Sequence, residues 1–120
     1  EASNLIEIGC TAQCSAAINS LGELYMLGRN AYGELGLGDK VTRGVPTKVG
    51  SAANWVSIAC GHRQSLAYNS LNQLYAWGSN KYGELGLNDT AERLSPTLVG
   101  TYSIIFSISS GQFHSSVIKL

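Results

Sequence analysis

Charge is what this sequence has least of. Asp, Glu, Lys and Arg together supply 13% of the 120 residues, about half the usual share for a soluble domain. The two signs cancel at 8 against 8. With no basic surplus to grip a phosphate backbone, nucleic acid is not an expected partner. Proline and histidine occur twice each. No run approaches the ~18 apolar residues of a spanning helix, and none resembles a cleavable signal, so no membrane partner is expected and the compartment stays open. The three cysteines, Cys10, Cys14 and Cys60, are an odd number. That excludes a complete disulfide framework and suits small buried thiols.

What is present is apolar and turn-rich. Apolar residues make up 44% and there are 14 glycines, enough for a packed core and too much for disorder. Ser20–Asn69 aligns with Ser70–Lys119 without a gap, at a period of 50, and 22 of the 50 positions are identical. The densest block is Asn30-Ala31-Tyr32-Gly33-Glu34-Leu35-Gly36-Leu37 over Asn80-Lys81-Tyr82-Gly83-Glu84-Leu85-Gly86-Leu87. Residues 1–19 are the back part of a preceding copy, with Ile8, Cys10 and Ser15 one period before Ile58, Cys60 and Ser65. The chain therefore reads as a partial repeat (1–19) and two full ones (20–69 and 70–119), all within one domain.

The pattern inside each repeat is that of short strands. Strands are expected near 55–60, 64–69, 73–78 and 96–99, with equivalents 50 residues away. Asn69-Ser70-Leu71-Asn72 reads as a turn, with both asparagines at positions tolerant of positive φ and Gly22 in place of Asn72 in the other copy. Pro96 at the start of its strand suggests a sheet edge, since proline donates no ladder hydrogen bond. Four strands per 50 residues with no 3.6-residue period predicts an all-β fold of four-stranded antiparallel propeller blades, about two blades plus a strand pair. The expected core is Ile58, Ala67, Leu74, Trp77, Leu85 and Val99, with Ile8, Ala17, Leu24, Leu35 and Val49. Trp55, Trp77, Tyr25, Tyr32, Tyr75 and Tyr82 are expected between blades.

The string Leu74-Tyr75-Ala76-Trp77-Gly78-Ser79-Asn80-Lys81-Tyr82-Gly83-Glu84-Leu85-Gly86 resembles the repeat of the regulator of chromosome condensation family. Gly111-Gln112-Phe113-His114-Ser115 resembles that family's second signature. The resemblance covers nearly the whole chain. Leu27 stands where the family has Trp, Glu34 and Glu84 where it favours Gln, and Gln64 and Cys14 at the His position. It implies a ring of about seven blades and a protein-binding role. The best-known member exchanges guanine nucleotide on a small GTPase and docks on chromatin. That activity lies in loops outside the repeat motif, so no residue here inherits it.

The residues that could carry chemistry read as structural. Gly-x-x-x-x-Gly-x-x-Gly follows a strand but opens no helix and carries no Walker lysine, so no nucleotide cofactor is expected. Glu34 and Glu84 fall on different blades, too far apart for a paired acid–base mechanism. Each is expected to accept backbone N–H groups in its own loop, with Asp39 and Asp89 doing similar work one turn later. His114 is expected to bond within its blade beside Ser115. His62 is offset from that slot, and no Gly-x-Ser-x-Gly elbow exists. Cys10, Cys14, Cys60 and His62 lack the close Cys-x-x-Cys spacing of structural zinc, so no metal is expected.

The function expected is a non-enzymatic scaffold that binds another protein, with no catalytic residue, no cofactor and an unassigned partner surface. The alternatives are a decoration component of a large assembly, such as a virion or surface appendage, and part of a guanine-nucleotide exchange factor. Two repeats and a half copy do not close a ring, and Ile104-Ile105-Phe106 and Leu5-Ile6 keep both ends apolar. With Glu1 rather than Met at the start, the expectation is a piece of a longer chain whose remaining blades complete the ring, or else several copies assembling into one. Sedimentation of the 120 residues tests it: aggregation fits the first, a discrete oligomer the second, and a stable monomer with a cooperative melt refutes both.

Overall fold

The computed structural model describes the backbone of residues 5–10, 14–110 and 115–119, and the side chains of 14–105, 107–109 and 117–119. Ten strands and no helix occur among the described residues: β1 (Leu5–Cys10), β2 (Cys14–Asn19), β3 (Leu24–Gly28), β4 (Arg43–Lys48), β5 (Trp55–Cys60), β6 (Gln64–Asn69), β7 (Gln73–Gly78), β8 (Arg93–Thr101), β9 (Ile105–Ser110) and β10 (Ser115–Lys119). They form two four-stranded antiparallel meanders, β1-β2-β3-β4 and β5-β6-β7-β8, and the pair β9-β10. This is the expected all-β arrangement of two blades and a strand pair. The sheets cut across the sequence period, because β5 and β6 close one repeat while β7 and β8 open the next.

Local chemistry accounts for the turns. Asn69 Oδ1 accepts the N–H groups of Leu71 (3.0 Å) and Gln73 (3.1 Å), and its amide donates to Gln73 Oε1. Asn19 does the same with Leu21 and Glu23. The expectation of positive φ is met at Asn72 (58°) and Gly22 (79°). It fails at Asn69, which serves the turn through its side chain and ends β6 with strand backbone. The last strand of the second blade is also longer than expected. It starts at Arg93, and Pro96 lies inside it, tolerated because β8 is the edge of its sheet.

Strand alternation gives the second blade two apolar faces. Ile58, Ala67 and Trp77 face the first blade and pack with its Ala16, Ile18, Leu24, Met26, Leu35 and Val49. Leu66, Leu74, Ala76 and Leu85 face the other way, against Ile105, Ile108 and Val117. Of the expected core, Ile58, Ala67, Leu74, Trp77, Leu85, Leu24, Leu35 and Val49 are buried. Ala17 and Val99 are half-buried instead. Ala17 lies with Tyr25 and Leu27 on the outer face of the first blade, and Val99 faces the two-stranded pair, which covers less than a full blade does. Ile8 lies outside the described side chains.

Trp77 is fully buried at the interblade seam. Trp77→Ala is expected to cost about 3–5 kcal/mol in urea unfolding, the range for large aromatic truncations in cores. Leu27→Ala, at the equivalent position on the outer face, should cost less than about 1 kcal/mol. Equal costs would mean that position, not the seam, sets the value.

Candidate functional site

The long loops between β3 and β4 (29–42) and between β7 and β8 (79–92) are two copies of one construction. Each begins with a fully buried asparagine. Asn30 Oδ1 accepts Leu35 N–H at 3.0 Å, while its amide donates to the Asp39 carbonyl, Asp39 Oδ1 and the Val41 carbonyl at 3.0–3.1 Å. Asn80 repeats this with Leu85, Asp89 and Ala91 at 2.7–3.1 Å. One amide thus ties the start, middle and end of a loop that has no regular structure to satisfy its backbone.

The aspartates close the frame. Asp39 accepts Val41 N–H and pairs with Arg43 at 2.9 Å; Asp89 accepts Ala91 N–H and pairs with Arg93 at 2.8 Å. The arginine side chain, as the largest influence, holds each aspartate below the ordinary carboxylate range. Glu34 and Glu84 do what their place in the motif suggests, accepting Tyr32 N–H at 2.7 Å and Tyr82 N–H at 2.8 Å. Their second oxygens are buried and have no hydrogen-bond partner among the described residues. Burial pushes the Glu34 carboxyl up, against the smaller opposing pull of its backbone hydrogen bonds.

The first loop is also where the blades are joined. The Glu34 carbonyl accepts both Trp77 Nε1–H at 2.9 Å and Ser65 Oγ–H at 2.8 Å from the second blade. Gly36, at φ +70°, lets the indole approach: a Cβ there would sit 2.8 Å from Trp77 Nε1. At the outer surface Lys40 and Glu92 bridge the loops at 2.6 Å, and the Arg63 guanidinium lies 4.8 Å from the Tyr32 ring centroid. Between them runs a groove of about 460 Å³ lined by Tyr32, Arg63, Ser79, Lys81, Thr90 and Glu92.

The other candidates scatter. Cys14 lies in the core and Cys60 at its edge, His62 is half-buried, and Cys10, His114 and Ser115 lie outside the described side chains. The two tryptophans are buried and Tyr75 packs at the interblade core; Tyr32 is half-buried, whereas Tyr25 lies on the first blade's outer face and Tyr82 is 60% exposed, neither of them between blades as expected. The residues that sequence reasoning passed over are the clamp asparagines and the arginines 43 and 93. Their signal was available, since both pairs recur at the period of 50.

The family model described as the regulator of chromosome condensation (RCC1) repeat matches residues 22–68 and 72–118. A second model of the same description matches 55–84. The chain belongs to the RCC1 repeat family. Its 120 residues also resemble solved propellers: human WBSCR16 (TM-score 0.87, 23% identity, 99% of this chain and 32% of that one), and Prp20p of Saccharomyces cerevisiae (TM-score 0.83, 22% identity, 97% and 31%), whose structure is described with its binding to Gsp1p and histones. At these identities the likeness establishes the fold. A 51-residue stretch is 45% identical to Ras guanine nucleotide exchange factor C of Dictyostelium discoideum, covering 38% of this chain and 4% of that protein. The chain spans about a third of the solved propellers and a small fraction of the exchange factor.

In this RCC1 repeat pair, Glu34 makes the stability pH-dependent in a definite direction. Its carboxyl titrates higher in the fold than in the unfolded chain, so the native state holds the proton longer. Stability therefore falls as pH rises from the ordinary glutamate range through the raised value. Glu34→Gln keeps the acceptor for Tyr32 N–H and removes the buried charge. Thermal melts should show the variant about 0.5–1.5 kcal/mol more stable at pH 7 and the difference shrinking near pH 4. A lower melting temperature for the variant at pH 7 refutes this account.

Proposed function

We propose that these blades form a non-enzymatic protein-binding scaffold whose contact surface is the loop face. One observation carries the reading. Three polar pairs identical in the two loops, Asn30/Asn80, Glu34/Glu84 and Asp39/Asp89, with Arg43/Arg93 at the start of the following strands, hold each loop's shape. Most positions that differ are exposed: Arg29, Ala31, Lys40 and Thr42 in one loop, Lys81, Thr90 and Glu92 in the other. A repeated frame with a varied rim suits recognition, where a rigid support presents side chains free to differ. It suits catalysis less, because Glu34 and Glu84 each use one carboxylate oxygen on their own loop's backbone and lie in separate loops.

The partner is a protein that offers acidic groups to the exposed Arg29 and Lys81. Replacing both by Glu in the protein carrying these blades should weaken partner binding about 3–10-fold, mostly through the association rate, with the melting temperature unchanged. Surface plasmon resonance at two salt concentrations reads both effects. Binding that ignores the reversal, or a turnover lost in Glu34→Gln/Glu84→Gln with the fold intact, overturns the proposal.

A second reading, part of a guanine-nucleotide exchange factor, draws on the similarity to Ras guanine nucleotide exchange factor C. A fluorescent-nucleotide release assay on a small GTPase separates the two, since a scaffold leaves the release rate unchanged.

A further inference from the structure

The seam between the two blades opens at its other end, away from the long loops. β7 runs from Gln73 to Gly78, and the loop of residues 79–92 follows its Gly78 end. Around its Gln73 end lies an open cleft of about 410 Å³, lined by Val49, Asn54, Trp55, Gln73, Tyr75 and Pro96 among others. That size is within the range of about 300–1,000 Å³ usual for ligand sites. Every lining residue falls between positions 49 and 96, and none of them is charged. Its wall is held in place. Trp55 N–H donates to the Gly22 carbonyl at 3.0 Å, and the Asn54 carbonyl accepts Ser70 N–H at 2.9 Å. The Trp55 ring packs edge-on against Tyr75, with centroids 5.3 Å apart.

The cleft carries more donors than the fold uses. Trp55 is 5% exposed, and its buried Nε1–H has no acceptor among the described residues. An orphaned buried donor is costly, and the repeat does not require one. Leu5 and Ile105 stand at the same position one period either side, and Ile105 is equally buried. Gln73 adds a second donor. Its Oε1 accepts the Asn69 amide at 2.9 Å, while its Nε2 donates to nothing among the described residues. In the first blade Glu23 holds that position, accepts the same bond from Asn19 and has no donor to offer. Both surplus donors are additions to the repeat at this one cleft.

An uncharged cleft with an aromatic pair and spare donors calls for a neutral, apolar ligand rich in acceptors and poor in donors. A proline-rich segment meets each requirement. Every residue offers a carbonyl, no proline has an N–H, and the polyproline II helix is formed before binding. A sugar fits less well, because each of its hydroxyls brings a donor along with its acceptor. We propose that this cleft binds a proline-rich peptide segment in the polyproline II conformation. Its pyrrolidine rings pack against Tyr75 and Pro96. Its carbonyls accept from Gln73 Nε2 and, directly or through one water, from Trp55 Nε1–H. The site is separate from the loop face, so charge reversal at Arg29 and Lys81 leaves it untouched.

The probe is fluorescein-labelled octaproline, added to the protein carrying these blades and read by anisotropy. Expected is saturable binding with a Kd below about 1 mM. An eight-residue Gly-Ser repeat, which has the same carbonyls but adds N–H groups and lacks a fixed conformation, should bind at least about 10-fold more weakly. Gln73→Glu keeps the acceptor for Asn69, as Glu23 does for Asn19, and replaces the donor by a carboxylate. It should weaken octaproline binding at least about 10-fold with the melting temperature unchanged. Trp55→Phe keeps a ring and removes the N–H, and should weaken binding about 3–10-fold; if it does not fold, Gln73→Glu alone decides. No binding up to about 1 mM, equal binding of the two peptides, or binding indifferent to Gln73→Glu would each overturn the proposal. So would a melting temperature raised by methyl glucoside and not by octaproline, which would assign the cleft to a sugar.

Discussion

The carbonyl oxygen of Glu34 is the point on which the two blades depend. It receives the indole N–H of Trp77 and the hydroxyl of Ser65, both from the neighbouring sheet and both buried. A buried indole N–H without an acceptor is costly, and a seam of flat sheets offers few free carbonyls because ladder bonding uses them. The irregular loop supplies one. Its carbonyl projects out of the first blade because Gly33 and Gly36 turn the chain with positive φ. The largest side chain of the core is thereby fixed in orientation as well as buried, and the first blade's Met26, Leu35 and Val49 close around it.

That loop would be a poor support if it were held only by its ends. Between β3 and β4 it has no ladder partners, and its order comes from Asn30, whose amide reaches residues nine and eleven positions on. A fully buried amide with all its groups engaged is favourable because every alternative arrangement leaves some of them unsatisfied. The matching network around Asn80 makes it the common solution of both repeats. The unpartnered Oε2 of Glu34 is the flaw in the frame, and burial pushes this carboxyl up.

Packing shows how a flat repeat becomes a stack. The second blade is apolar on both faces, since β6 buries Leu66 on one side and Ala67 on the other. Such a sheet has no solvent side and is stable only between neighbours. Ala17, Tyr25 and Leu27 are half-buried on the face of the first blade turned away from the second, while Val99 and Ile108 are half-buried between the second blade and the strand pair.

Strand positions were legible in the sequence because a period of 50, turn asparagines and apolar alternation are local or self-referring signals. β5, β6 and β7 begin and end where the pattern places them. The backbone-accepting role of Glu34 and Glu84 was legible too, because the motif fixes a loop of set length around each. Ala17 and Val99 were misread because a sequence repeat assigns equal environments to equal residues, whereas burial depends on which neighbour stands opposite. Tyr82 was misread for the same reason. The sequence by itself determined the strand repeat, the turn chemistry and the family. Only the tertiary structure decided that Glu34's carbonyl, Ser65 and Trp77 meet, and that Lys40 of one loop reaches Glu92 of the other. The contacts to Glu34's carbonyl join residues 31 and 43 positions apart, a distance over which local propensity carries no information and only packing between sheets does.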